Sequence, residues 1–181
     1  MFKNREEAGK LLSSKLSGYQ KDNDAIVLAI PRGGVIVGKQ IANLLKIQFA
    51  VIIVKKLTAP HNPELAIGAI TLGKIKIIDW DLALRLGVEQ EYLDMEIEKK
   101  SKEVEERERK FSRPAGGLES RIKNKKIIIL TDDGVATGAT VLAAIKYIKE
   151  SDQTVGYIST VMINHKLPKS NQLIWQIKVL T

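Results

Sequence analysis

The stretch "KKIIILTDDGVATGATVLAAIKYIKE", Lys125 to Glu150, decides how this chain folds. An unbroken apolar run, Ile127-Ile128-Ile129-Leu130, leads into adjacent carboxylates, Asp132 and Asp133. A small-residue loop follows, and then a helical pattern that reaches about Glu150. Such a run, bounded by turn signals, predicts a strand covered on both faces. Carboxylates at its carboxyl end lie where open α/β sheets bind ligands. Backbone N–H groups of the loop can close around an anion at the start of the next helix, where unpaired donors and the helix dipole favour negative charge. Thr137 and Thr140 add hydroxyls, and Gly134 and Gly138 allow close backbone approach. The loop is not a Walker A motif, since no Lys follows Gly138, and it lacks the dinucleotide fingerprint. A sugar phosphate would satisfy both halves, with its phosphate in the loop and its hydroxyls on the carboxylates. On these residues alone, a plain strand-to-helix turn with a solvated Asp-Asp cap remains the alternative.

Working outward, "AIVLAI" (Ala25–Ile30) is another buried strand, broken by "PRGG" before a helix over Val35–Leu45. "FAVIIV" (Phe49–Val54) reads as a second buried strand ending at Lys55-Lys56, which makes a β–loop–α–β unit with parallel strands. Upstream, Asn4-x-x-Glu7 resembles a capping box, with Ala8, Leu11, Leu12, Leu16 and Tyr19 at helical spacing. Thr58–Glu64 carries two prolines and reads as a loop, and Gly73-Lys74 reads as the turn of a hairpin. A helical region begins near Trp80. From Glu89 it is strongly charged, with a narrow stripe of Leu93, Ile97, Val104 and Phe111, which suggests a helix resting on the body or on a second copy in a homodimer. "SRPAGG" ends it. "TVGYISTVMI" reads as a further strand, and Pro168–Lys178 as a short helix before a terminal strand. The expected fold class is α/β: an open, mostly parallel sheet with helices on both faces. The expected organisation is a single domain over 1–181, with a hairpin and charged-helix subdomain inserted at about 58–117.

Composition narrows the chemistry. The chain has 181 residues, 44% hydrophobic and 28% charged, as in ordinary soluble proteins. No apolar run is long enough to span a bilayer, and Met1–Gly18 reads as a charged helix rather than a signal peptide, so a cytoplasmic location is expected. With no cysteine, disulfides, thiolate metal sites and Cys nucleophiles are excluded. The two histidines, His61 and His165, form no metal-ligand pair, and His61 reads as a loop residue. The net charge of +8 is uneven: Glu89–Lys110 carries −3, leaving +11 elsewhere. A basic body suits an anionic partner, either nucleic acid or a phosphorylated small molecule. Aromatics are only 5% and none interleaves with "RIKNKK" (Arg121–Lys126), so a stacking platform for nucleic acid is not favoured.

"IIILTDDGVATGAT" resembles the phosphoribosyl-pyrophosphate (PRPP) motif of type I phosphoribosyltransferases. "VLAIPRGGVIVGKQIA", "VIIVKKL", "PHNPELAIGAI" and the charged segment through "RERKF" resemble, in order, a group of such proteins of undetermined acceptor, over roughly Phe2 to Ile163. The resemblance implies transfer of a phosphoribosyl group from PRPP to a small nitrogenous acceptor with release of pyrophosphate, Mg²⁺ as cofactor, and a place in nucleotide metabolism. Val135, Ala136, Thr137, Gly138, Ala139 and Thr140, after Gly134, would hold the ribose 5-phosphate. Asp132 and Asp133 would hold the ribose hydroxyls, directly or through Mg²⁺. Arg32, Gly33 and Gly34 would grip pyrophosphate by a fork and by backbone N–H groups, in a turn that often contains a strained peptide. Lys56 is the chosen second cation for the leaving group, and Thr58–Glu64 lies where a mobile loop is expected. Ala136 stands where 6-oxopurine enzymes have an acidic residue, which argues against hypoxanthine or guanine as acceptor. Members of the resembling group continue into an aromatic-bearing C-terminal segment that helps form the acceptor pocket, whereas this sequence ends at Thr181. The competing function is a PRPP-binding regulator that acts on RNA or DNA without turnover, since fold alone does not decide.

Overall fold

A computed structural model describes residues 3–111, 117–134, 138–151, 157–161 and 177–180. In chain order its elements are α1 (Arg5–Lys15), β1 (Ala25–Ala29), α2 (Gly33–Leu45), β2 (Gln48–Val51), β3 (Val54–Ala59), β4 (Asn62–Thr71) and β5 (Lys76–Ile78). They continue with α3 (Trp80–Arg85), α4 (Gln90–Phe111), α5 (Gly117–Ile122), β6 (Ile127–Thr131), α6 (Ala139–Ser151), β7 (Tyr157–Val161) and β8 (Ile177–Leu180). The chain divides into two compact units, one of residues 1–52, 118–136 and 151–181, the other of 53–117 and 137–150.

The first unit is built on a five-stranded sheet in the order β2-β1-β6-β7-β8. Neighbours are parallel except β7 and β8. β1 is buried at every position, and Ile128 to Thr131 of β6 are buried as well, as their apolar runs predict for central strands of a covered sheet. Their register pairs Ala25 with Ile127 and Ala29 with Thr131, so both strands end level. The ladder extends one step further through Ile30 N–H to the Thr131 carbonyl at 2.9 Å. That shared edge brings the Pro31–Gly34 turn and Asp132-Asp133 together.

On one face, Ala8, Leu12 and Leu16 pack with Val27, Val37, Ile41, Ala42, Leu45 and Ile129. Asn4 caps α1 by accepting from Glu7 N–H at 2.9 Å. The return half of the expected capping box is shifted by one residue, since the Glu7 carboxylate takes the N–H of Lys3 rather than that of Asn4. Leu11, on the same apolar pattern, is half exposed. α1 and α2 lie close because Gly9 has no side chain. A Cβ there would come within 2.7 Å of Gln40 Cβ and 2.9 Å of the Val37 carbonyl oxygen.

The second unit holds an antiparallel sheet, β3-β4-β5. Here the expected "FAVIIV" strand proves to be two elements. β2 ends at Val51, and from Val54 the chain pairs with β4. Ile52 and Ile53, both buried, keep the apolar run continuous across the break, which is why periodicity misses it. β2 is an edge strand, with Gln48 exposed. The expected loop over Thr58–Glu64 is instead a tight hairpin tip at Pro60-His61, with Ala59 paired to Asn62 and His61 at φ +60°. Register shifts between Leu57 and Ala59 leave Pro63 opposite no ladder partner, so its missing N–H costs no bond. The second hairpin matches its expectation: Gly73 and Lys74 both have positive φ, and Ile75 N–H closes the turn on the Leu72 carbonyl.

α4 rests on β3 and β4. Leu93 and Val104 of its sparse stripe are buried, but Phe111 is exposed, and acidic Glu96 and Glu108 are buried in its place. The Glu96 carboxylate accepts from Thr58 N–H (3.2 Å) and Thr58 Oγ1 (2.9 Å), and Tyr92 Oη donates to the Thr58 carbonyl (3.0 Å). The helix docks through charge-assisted hydrogen bonds as well as apolar contact. Among the described residues no helix is long and apolar enough to cross a membrane. The short helix expected within Pro168–Lys178 lies almost wholly outside the described residues.

Candidate functional site

The site in the first unit is assembled at the level ends of β1 and β6. α2 begins immediately after Arg32, and three glycines let its first turns press onto the end of β6. A Cβ on Gly34 would lie 2.5 Å from the Thr131 carbonyl oxygen, and one on Gly38 would lie 2.5 Å from Thr131 Oγ1. Thr131 Oγ1 also donates to the Gly34 carbonyl at 3.1 Å, which locks strand end to helix start. At Gly33 the approach is to a functional group, because a Cβ there would sit 1.7 Å from Asp133 Oδ2. Arg32 occupies the N-cap position of α2, is exposed, and provides no side-chain cap. The Arg32 side chain thus offers the first N–H groups of α2 no acceptor, while the third, that of Val35, donates to the Arg32 carbonyl at 3.3 Å. The Pro31–Arg32 peptide bond is cis.

The two aspartates differ in environment. Asp132 is buried, and its Oδ1 accepts from Asp133 N–H at 2.7 Å. Burial pushes its carboxyl up to about 7. The backbone N–H groups of Asp133 and Gly134 pull the other way, and the Asp133 charge adds to the rise. Asp133 is partly exposed and is held from a distant segment. Arg5, the first residue of α1, donates from Nε (2.9 Å) and Nη2 (2.6 Å) to Asp133 Oδ2.

Of the residues singled out from sequence, Arg32, Gly33, Gly34, Asp132, Asp133 and Gly134 fall in this unit. Among them Gly33 meets Asp133, and Gly34 meets the Thr131–Asp132 backbone. Val135, Ala136 and Thr137 lie outside the described residues. Gly138, at φ +80°, precedes α6, and its carbonyl accepts from Leu142 N–H at 2.9 Å; with Ala139 and Thr140 it belongs to the second unit.

Lys56 has a different strand position from the one expected. It does not follow a strand of the parallel sheet but lies inside β3, paired with Ala69, and is exposed. Its neighbour Lys55 binds Glu103 on α4. The expected strand position differs because β2 and β3 share one apolar run, and Lys56 belongs to the second unit.

Arg5 is the residue that sequence reasoning missed. Its partner is 128 positions away, and a first-turn arginine beside Glu6 and Glu7 gives no local sign of that contact. The one available hint is electrostatic, since a cation at a helix start opposes the helix dipole.

A family model for the phosphoribosyl transferase domain matches residues 2–178. The chain belongs to this family. Two Mycobacterium tuberculosis proteins, from strains H37Rv and CDC 1551, each bear the name "Putative phosphoribosyl transferase". Each is 33% identical over 144 residues, covering 80% of this chain and 32% of the relative. The chain thus spans about a third of the length of these curated relatives. Among solved structures, the Thermus thermophilus protein TT1426 is 30% identical with a TM-score of 0.61, covering 89% of this chain and 74% of that one. The parallel sheet with its helices is the phosphoribosyl transferase fold expected from sequence. Within this phosphoribosyl transferase domain, the acidic pair and the glycine turn meet at one sheet edge.

Proposed function

We propose that the chain binds PRPP at the β1–β6 edge and transfers its phosphoribosyl group to a nitrogenous acceptor. The observation that carries this reading is the contact between the Pro31–Gly34 turn and the Asp132-Asp133 pair, tight enough that a Cβ at Gly33 would overlap the carboxylate. A ligand with vicinal hydroxyls and a pyrophosphate would engage both. The carboxylates would accept from the ribose hydroxyls. Arg32 and the backbone N–H groups of Gly33 and Gly34 would take the pyrophosphate. Val135–Thr140 would take the 5-phosphate, as in the family motif.

In the reaction, a bond forms between the acceptor nitrogen and C1 of the ribose as the bond from C1 to the pyrophosphate oxygen breaks. The electron pair leaves with pyrophosphate. Positive charge develops on the ribose, which nearby carboxylates ease, and negative charge grows on the leaving group, where Arg32 opposes it. The residues otherwise position, and none acts as a nucleophile.

The donor set suits Mg²⁺. Two hard carboxylates are the usual protein share of a Mg²⁺ site completed by substrate phosphates and water, and among the described residues no larger acidic cluster competes. When bound, the ion supplies charge neutralisation at the leaving pyrophosphate. Ala136 in the phosphate loop disfavours a 6-oxopurine acceptor. Lys56 would supply a second cation toward the leaving pyrophosphate, as the family resemblance implies.

The test is calorimetric titration of PRPP, with and without Mg²⁺, into wild type and Asp132→Asn/Asp133→Asn. Loss of binding in the folded double variant supports the assignment. Unchanged affinity refutes the role of the pair. Pyrophosphate release with a nitrogenous acceptor separates the enzyme from a regulator that merely binds.

A further inference from the structure

We infer that Arg5 is a positioning residue for the sugar-binding carboxylate, acting on the ligand through Asp133 rather than by touching it. The inference rests on the PRPP reading above. Three segments distant in sequence converge on one oxygen. Arg5 from α1 places Nε and Nη2 at 2.9 and 2.6 Å from Asp133 Oδ2, and Gly33 of α2 lies so close that a Cβ would stand 1.7 Å from that same atom. Oδ2 is thereby fixed from two sides, which leaves Oδ1 as the acceptor for a ribose hydroxyl.

The base of Arg5 is itself rigid. α1 is capped by Asn4, pressed against α2 at Gly9, and buried through Ala8 and Leu12. Helix stability does not account for an arginine at the first position of α1, where the peptide dipole repels a cation. The neighbouring Glu6 and Glu7 are the side chains that suit that end. What Arg5 gains there is the Asp133 carboxylate. A planar fork sets the orientation of a carboxylate as a point charge does not.

The experiment is a double-mutant cycle on the full chain, read by calorimetry at about 0.15 M salt, where long-range charge effects are screened. The variants are Arg5→Gln, Arg5→Lys, Asp133→Asn and Arg5→Gln/Asp133→Asn, each checked by thermal melting. The probes are PRPP, ribose 5-phosphate and inorganic pyrophosphate. Arg5→Gln should weaken PRPP and ribose 5-phosphate by about three- to tenfold, as for a partly exposed charge-assisted contact. Pyrophosphate, which has no hydroxyls, should bind as before. In the Asp133→Asn background the Arg5 change should have no further effect, and Arg5→Lys should restore part of the loss.

An equal loss for pyrophosphate, a loss that persists without the Asp133 charge, or tighter or unchanged PRPP binding would each overturn the positioning role while leaving the PRPP reading intact. A folded wild type that ignores PRPP altogether would remove both.

Discussion

Replacing Gly33 by Ala separates stability from ligand binding more sharply than any other single change at the site. The new Cβ would start 1.7 Å from Asp133 Oδ2 and 2.0 Å from its Cγ, while side-chain carbons keep at least 3.0 Å from such neighbours. The carboxylate must therefore retreat by more than 1 Å and rotate off the Arg5 fork. Gly33 is the first helical residue of α2 and does not have positive φ, so the backbone itself accepts alanine. The lost Arg5–Asp133 bridge is partly exposed on both sides and costs roughly 0.5–1 kcal/mol. Alanine's helix propensity returns an amount of similar size, up to about 1 kcal/mol. Stability in urea should thus change by less than about 1 kcal/mol. Ligand binding should suffer far more, because a displacement of that size in a positioning group costs on the order of 10- to 100-fold. The assay pairs urea denaturation with PRPP calorimetry on the same preparations. PRPP binding at wild-type strength would refute the placement of Asp133 in the site. A loss of several kcal/mol in stability would show instead that the turn is structural.

Asp132 gives a pH signature. Its folded carboxyl lies at about 7, against an ordinary value of 3.8, so between those limits the folded state holds a proton that the unfolded chain has released. Stability should therefore fall as pH rises from about 4 to about 7, by on the order of 2–4 kcal/mol, and Asp132→Asn should flatten that slope in denaturation measured with a chelator present. In the second unit, Glu96→Ala removes the acceptor for both Thr58 donors and should cost about 1–3 kcal/mol in denaturant midpoint measurements. By contrast, Glu98→Ala, which breaks an exposed pair with Lys74, should leave the midpoint unchanged.

The sequence by itself determined the parts of this protein that depend on short-range pattern. Continuous apolar runs marked β1 and β6 because central parallel strands are covered on both faces. The Gly73-Lys74 dipeptide marked a hairpin because glycine at the first turn position takes positive φ freely, while the positive φ of Lys74 emerged only in the structure. The carboxylates directly after β6 and the glycines directly after β1 were legible as neighbours at one sheet edge, since chain connectivity alone puts them at strand ends. Tertiary structure decided where register, pairing direction and distance matter. Hydrophobicity runs unbroken through Ile52 and Ile53, so only the change of hydrogen-bonding partner from β1 to β4 separates two strands, and with that change Lys56 lies within β3 rather than after a strand of the parallel sheet. Periodicity could not foresee that α4 would bury Glu96, because the carboxylate is stabilised by Thr58 on another element. Nor could it find Arg5. A guanidinium that orients a carboxylate 128 residues away is specified by the packing of α1 on α2, and that packing exists only in three dimensions.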